Sequence, residues 1–334
     1  SIHARACKLK CEKILTRPSE VETFGIDESW IELTGSPLLK ERTPHEIADE
    51  IRNTVKSEVG LTVSIGISFN KIFAKLGSDM KKPDAVTEIG RDTFRDQVWP
   101  LPVSDLLYVG RATAEKLGRY CIRTIGDLAN TERDILRSLL GINGEKIWAY
   151  ANGLDASRVM PCDYTPPIKS IGHGITCTAD LVSESEVRGV FLELSQDIGL
   201  KLRKQGLAAN GVRITVRDNT LSHRQYQCKL PFPTQSYLEI YDAGIDMFHR
   251  RYSWSNNIRS LTISAIDLIS ADTPVQLDLW TDMSKHKRRI RLEETIEDIR
   301  RRFGLHAINF AAAGSMKIPV QSDIEYKMPS VMYQ

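Results

Sequence analysis

Behind Thr43-Pro44-His45-Glu46, a capping box with proline in the first helical position, Ile47, Ile51 and Val55 follow at four-residue steps among polar neighbours. The pattern predicts a helix over about 44–58, closed by Gly60. Leu61, Val63, Ile65 and Ile67 then alternate with smaller or polar residues, the signature of a half-buried strand. Upstream, VETFGI and SWIEL are two β-prone runs separated by Asp27-Glu28, which predicts a hairpin or a bulged strand pair. Ala4, Cys7, Cys11, Ile14 and Leu15 lie near helical spacing with Arg5, Lys8, Lys10 and Lys13 opposite, so a short amphipathic helix is expected before Pro18.

The order αββαβ corresponds to a split βαββαβ unit without its first strand. Such a sheet exposes an unpaired edge, so something upstream of the sequence is expected to be missing. After the strand, NKIFAKLGSDMKKP places Ile72, Phe73 and Leu76 on one helical face, with Lys71, Lys75, Lys81 and Lys82 on or beyond the other, a face expected to be basic. LPVSDLLYVGRATAEKLGRYCIRTIGDLA has the form of a helix-hairpin-helix, with its turn at Val109-Gly110 and its second helix from about Thr113. Short helices near 131–140 and 143–152 complete a helical block. RVMPCDYTPPIK, with three prolines and no periodicity, reads as a linker.

Beyond the linker the pattern is strand (169–178), helix (184–205), strand (210–217), strand (222–230), helix (235–250) and strand (258–268), a complete βαββαβ. The tail carries QLDLW at 276–280, the basic run KHKRRIR at 285–291 and a helix ending in IRRRFG. The expected organisation is 1–98, 99–157, a linker at 158–168, 169–270 and a tail at 271–334.

Composition narrows this little. At 334 residues the chain exceeds what one core usually supports, and 41% hydrophobic with 26% charged residues is ordinary folding composition. Forty-five Lys plus Arg against 43 Asp plus Glu leaves +2, so any polyanion partner must be recognised by local charge. Six scattered cysteines without CxxC spacing argue against zinc and for reduced thiols. No apolar run approaches the roughly 20 residues needed to cross a bilayer and no signal sequence is visible, so a soluble, cytoplasmic protein with no membrane partner is expected.

The chemistry concentrates at Asp27-Glu28. Adjacent carboxylates at a hairpin tip can face one point, because the turn breaks the alternation that separates neighbours on a strand. Two hard oxygens suit Mg²⁺, although a solvated turn is the commoner reading of the dipeptide alone. Phe24, Gly25, Ile26, Asp27, Glu28, Ser29 and Trp30 resemble the second catalytic palm motif of the Y-family (translesion) DNA polymerases, bacterial polymerase IV or ImpB-MucB-SamB type. That motif is written S-I-D-E followed by an aromatic, and Gly25 stands for the usual serine. Ser64, Gly66, Ile67, Asn70, Lys71, Ala74, Lys75, Ser78, Asp79, Lys82 and Pro83 match the family's S-x-G-I-x-x-N-K-x-x-A-K-x-x-S-D-x-x-K-P. Eleven positions at fixed spacing make this specific.

The resemblance implies an α+β multidomain fold: an incomplete ferredoxin-like βαββαβ palm, a small all-helical thumb with a helix-hairpin-helix, and a βαββαβ little finger. It implies an error-prone, damage-bypass DNA-directed DNA polymerase of the SOS response and DNA repair, moving a nucleotide onto a primer 3′-OH with two Mg²⁺ ions. Asp27 and Glu28 become catalytic metal ligands and Lys82 the cation on the dNTP triphosphate, while Asp79 is either a further carboxylate near the metals or a structural helix end. Gly110 and Arg111 of the hairpin are candidates for gripping a phosphate of the primer-template; the family often has G-x-G at this turn, and only the second glycine is kept. KSIGHGITCTADL resembles the opening strand of the little finger, which makes Lys169, Arg213, Arg217 and Arg224 candidate phosphate contacts. Gln276, Leu277, Leu279 and Trp280 resemble the peptide that binds the replication sliding clamp (beta clamp), with Trp for Phe. A bacterial, nucleoid-associated location follows from the same resemblance.

The family's first palm strand with its own aspartate, its aromatic steric gate and its fingers have no counterpart in the sequence. The alternative expectation is therefore a catalytically inactive DNA- and clamp-binding module, and these residues alone are not expected to turn over.

Overall fold

The computed structural model describes residues 21–25, 27–161, 163–274, 283–304 and 307–308. The amphipathic helix expected over 3–15 and the QLDLW segment lie outside them. The chain divides into two compact units between Pro166 and Pro167. Among the described residues no helix is long and apolar enough to cross a membrane.

In the N-terminal unit, β1 (Val21–Phe24) and β2 (Glu28–Ile31) form the expected antiparallel hairpin, with Phe24 paired to Glu28 across a three-residue turn. Helix α1 (Pro44–Val59) follows, with both halves of the Thr43/Glu46 capping box formed and Gly60 in the left-handed region. The next strand, β3 (Ile65–Ser68), starts later than the alternation from Leu61 suggests. It pairs in parallel with β4 (Val86–Ile89), a strand too short to announce itself in the sequence. The expected single incomplete sheet is thus two separate two-stranded sheets among the described residues.

Helix α2 (Lys71–Met80) joins β3 to β4 and is capped by the Asn70 side chain, which accepts from the Phe73 N–H at 2.8 Å. A Cβ on Gly66 would fall 1.9 Å from the Ala74 carbonyl oxygen, so β3 lies against α2 backbone to backbone and no side chain can intervene. Ile72, Phe73 and Leu76 of α2 enter one continuous core with Ile89, Val98, Leu117, Ile125, Leu128, Leu136 and Ile147. The short helix α3 (Phe94–Val98), unanticipated in the sequence, belongs to the same core. The helical block therefore shares its apolar interior with the helix that carries the longest sequence motif.

That block contains α4 (Arg111–Gly118), α5 (Ile125–Asn130), α6 (Arg133–Leu140) and α7 (Ile142–Ala151). The expected first helix of the helix-hairpin-helix is only a 3-10 turn, Val103–Asp105, and the second helix starts at Arg111 rather than Thr113. Pro102 and the bridge from Pro102 to Thr124 leave too little chain before the hairpin for an α-helix.

The C-terminal unit follows the sequence pattern closely. β5 (Ser170–Leu181), α8 (Glu184–Gln205), β6 (Leu207–Asp218), β7 (His223–Thr234), α9 (Tyr237–Arg251) and β8 (Ile258–Ser270) build one antiparallel sheet in the order β5-β8-β6-β7. Strands run beyond their expected ends. Edge strand β7 tolerates Pro231 and Pro233 because pairing with β6 slips there, from Gly211–Lys229 to Ala209–Thr234. Helices α8 and α9 cover one face, burying Phe191, Leu194, Ile198, Ile240 and Phe248 against Val212, Ile214, Leu261 and Ile263.

The basic run and the last expected helix prove to be one element, α10 (Met283–Phe303). It docks through polar contacts: His286 to Glu239 at 2.9 Å, Arg289 to Asp242 at 2.8 Å, and Glu297 to Arg203. Glu293 is fully buried and accepts from the Ser236 hydroxyl at 2.5 Å, the Tyr237 and Leu238 N–H groups at 3.0 and 3.2 Å, and Arg203 at 3.1 Å. A carboxylate from α10 thereby completes the N-terminus of α9. Burial pushes the Glu293 pKa up against the pull of those donors.

Candidate active site

Two motif segments meet on the N-terminal unit. Asp27 lies in the β1–β2 turn and Glu28 opens β2. Gly25 supports the turn at φ +72°, where an L side chain would be strained; the departure from the family's serine falls where the backbone needs glycine. Trp30 packs against Phe24 with ring centroids 4.4 Å apart and tilted, and donates its indole N–H to the Lys71 carbonyl at 3.0 Å, which fastens the hairpin to the start of α2.

The lysine face of α2 is not the free basic surface that its sequence suggests. Lys71 Nζ reaches both Glu22 carboxylate oxygens at 2.8 Å and lies 4.5 Å over the Trp30 ring. One turn on, Lys75 Nζ bridges Glu28 at 3.0 Å and Asp79 at 2.6 Å. Lys82 Nζ pairs with the other Asp79 oxygen at 2.7 Å. Acidic residues of the hairpin thus pair with Lys71 and Lys75, while Lys81 and Lys82, past the last turn of α2, stay exposed.

Burial would favour a neutral Lys75 amine, but its hydrogen bonds to Asp79 and Glu28 outweigh this and raise its pKa. Partial burial would raise Asp79, but Lys75 and Lys82 prevail and lower it. The loop after Lys82 is anchored at Asp84, which accepts from Arg52 at 3.0 Å and Lys56 at 2.7 Å, both on α1.

The expected convergence of Asp27 and Glu28 takes an unequal form: Glu28 is tied to Lys75, while Asp27 is exposed and has no partner among the described residues. No group of three or more His, Cys, Asp or Glu suited to a metal occurs among those residues. Two adjacent carboxylates, one unpartnered, nevertheless fit Mg²⁺, which binds through one or two carboxylates and completes its shell with substrate phosphates and water.

In the C-terminal unit the register decides which cations share a surface. Arg217 pairs with Ser260 and His223, Thr215 with Thr262 and Gln225, and Arg213 with Ser264 and Gln227, so Arg213 and Arg217 alternate with hydroxyls on the face away from the helices. Arg224 is opposite Val216 and so belongs to the helix-covered face; Lys169 precedes β5 and is not part of a strand. The four candidates therefore do not form one patch.

The impB/mucB/samB family model matches residues 4–79, and its C-terminal-domain model matches 168–279. DNA polymerase IV of Acetivibrio thermocellus is 41% identical over 288 residues, covering 86% of this chain and 72% of that protein. The chain belongs to the Y-family DNA polymerases of the impB/mucB/samB type. DNA polymerase IV of Clostridium kluyveri is 33% identical over 292 residues, covering 85% of this chain and 72% of that protein. A solved Y-family DNA polymerase chimera shares the fold at TM-score 0.64 and 18% identity, covering 80% of this chain and 77% of that one.

Within this Y-family polymerase, the hairpin before α4 holds Gly110 as N-cap with open space where a Cβ would fall, and Arg111 almost wholly exposed and paired with Glu115 at 2.8 Å. Where the family often has its first hairpin glycine, Tyr108 takes φ +70°, a strained conformation for a non-glycine residue. Its ring lies 5.9 Å from that of Tyr150. Burial, with Asp155 and Glu22 nearby, raises the Tyr108 pKa. Lys75 stands in the motif and on the basic face, but the sequence gives it no role in the site. Its i,i+4 spacing to Asp79 is a local signal, but its pairing with Glu28 depends on how the hairpin folds onto α2.

Proposed function

We propose that this polymerase performs translesion synthesis by two-metal nucleotidyl transfer, with Asp27 and Glu28 as metal ligands and Lys82 beside the triphosphate of the incoming dNTP. The observation that carries the reading is the line Glu28–Lys75–Asp79–Lys82, which joins the two motif segments through contacts of 2.6–3.0 Å. Bound Mg²⁺ would lower the pKa of the primer 3′-OH and offset charge on the leaving pyrophosphate. The protein's part is to present the Asp27 and Glu28 oxygens from a turn fixed by Trp30, and to hold the Lys82 ammonium on a loop anchored at Asp84, where it offsets developing negative charge.

Gly110 and Arg111 offer an exposed helix start to a DNA phosphate, and Arg213 and Arg217 offer cations on an open sheet face, contacts that hold a duplex without reading its sequence. Gln276, Leu277, Leu279 and Trp280 are assigned to the sliding clamp from sequence alone. Alanine at Gln276 and Trp280 is expected to eliminate clamp binding while primer-template affinity stays unchanged.

Primer extension with Mg²⁺ tests the catalytic assignment. Asp27→Ala or Glu28→Ala is expected to reduce incorporation by at least a hundredfold with DNA affinity near wild type; unaltered extension in either variant refutes it. The second reading, a DNA- and clamp-binding module without catalysis, draws on there being no group of three or more metal-suited side chains among the described residues. Retained primer-template binding with no incorporation by the unaltered chain selects it.

A further inference from the structure

The geometry points to Lys75 as a positioning residue of the polymerase site: its ammonium orients Glu28 and, through Asp79, registers Lys82, linking the metal-binding end of the site to its triphosphate end. The inference rests on the assignment of Glu28 and Lys82 made above. Lys75 Nζ lies 3.0 Å from Glu28 Oε1 and 2.6 Å from Asp79 Oδ2, and Asp79 Oδ1 lies 2.7 Å from Lys82 Nζ. Charge alternates along the line, so each carboxylate has a cation to hold its orientation.

Burial distinguishes Lys75 from an ordinary surface partner. Its side chain is 16% exposed, against 58% for Lys82, so its ion pairs are screened less than those of a solvated lysine. The helix beneath it has little freedom to shift. Ile72, Phe73 and Leu76 are buried on the opposite side, and Gly66 allows α2 to sit directly on β3. Lys71 clasps Glu22 one turn earlier. Lys75 therefore meets the hairpin at a set height, and Glu28 is aimed by a fixed cation.

Removing the Lys75 charge has two opposed consequences. The carboxylates lose a competing cation, which strengthens their attraction for a divalent ion by roughly three- to tenfold. Glu28 and Lys82 also lose their common reference, which lowers the rate of the chemical step. Simple loss of structure would weaken metal binding and catalysis together. Opposite movement of the two is the signature of positioning.

The test compares wild type with Lys75→Met, Lys75→Arg and Asp79→Asn, each on primer-template DNA. Mn²⁺ affinity is read by electron paramagnetic resonance, and kcat and KM for dNTP by single-nucleotide extension. Lys75→Met is expected to tighten Mn²⁺ three- to tenfold and lower kcat at least tenfold. Lys75→Arg is expected to restore wild-type Mn²⁺ affinity and part of kcat. Asp79→Asn, which releases Lys82 while Lys75 still holds Glu28, is expected to raise KM for dNTP several-fold with a smaller change in kcat.

Unchanged Mn²⁺ affinity in Lys75→Met, or a parallel loss of metal binding and kcat that Lys75→Arg does not rescue, overturns the inference. The underlying assignment fails differently, by Asp27→Ala and Glu28→Ala retaining both Mn²⁺ affinity and extension. If extension is absent throughout, the Mn²⁺ measurement decides alone.

Discussion

The palm that carries the candidate site and the C-terminal little finger are built from very different amounts of sheet. Among the described residues of the palm, four strands of four residues make two separate pairs, and the small cluster on α1 buries Ile47, Ile51 and Val55. In the little finger, strands of 12 and 13 residues form one sheet over a core that runs through both covering helices. Cross-element ion pairs hold the palm hairpin to α2, while apolar burial holds the little finger. The contrast suits their chemistry: charged side chains must be presented at one, whereas an even surface suffices at the other.

Isoleucine truncation probes that contrast most strongly. Ile198 and Ile47 are both fully buried, so Ile198→Ala and Ile47→Ala remove the same atoms from unlike surroundings. Large-to-small changes at such sites cost about 2–5 kcal/mol, more where the cavity cannot collapse. Ile198→Ala is expected near the upper end and Ile47→Ala near the lower, read by local hydrogen exchange in each unit. Equal losses would break the comparison.

A smaller effect is expected at the open sheet face. On duplex DNA, removing one phosphate-binding cation makes the dependence of log K on log salt shallower by about 0.9. Arg213→Ala and Arg217→Ala should each produce such a decrease, whereas Arg224→Ala, on the helix-covered face, should produce little change. A full decrease for Arg224 would show that the pleat does not govern which cations touch DNA.

The smallest expected effect is pH-dependent. Burial tends to raise Asp197, but hydrogen bonds from His173 and Lys201 prevail and lower its pKa. A depressed carboxylate stabilises the fold above its unfolded pKa, about 3.9, and that contribution is lost as pH falls through the folded value. The unfolding free energy of the little finger, read by urea denaturation, is therefore expected to fall more steeply below pH 4 in wild type than in Asp197→Asn, by under about 1 kcal/mol. Parallel curves would show that His173–Asp197–Lys201 does not contribute to its stability.

The little finger is almost fully legible in the sequence because its elements are long enough for period two and period 3.6 to separate. The palm is harder. β4 has four residues, and the parallel pairing of β3 with β4 is a long-range choice that no local window contains. Asp27, Glu28 and Lys82 stand out by motif, but the neutralised α2 face is hidden, since Glu22–Lys71 and Glu28–Lys75 join residues nearly fifty positions apart. Arg224 separates from Arg213 and Arg217 because one residue of register changes the face of a strand.

Glu22 does one further thing. Beyond holding Lys71, it accepts the Met160 N–H at 2.7 Å, while Lys71 donates to the Arg158 carbonyl at 3.2 Å. The segment that leaves the helical block is thus stitched to the palm before its prolines begin. In polymer terms the stretch of chain left to connect the two units begins at Pro161 rather than at Arg158. A single carboxylate on the first described strand thereby helps fix where that connector starts.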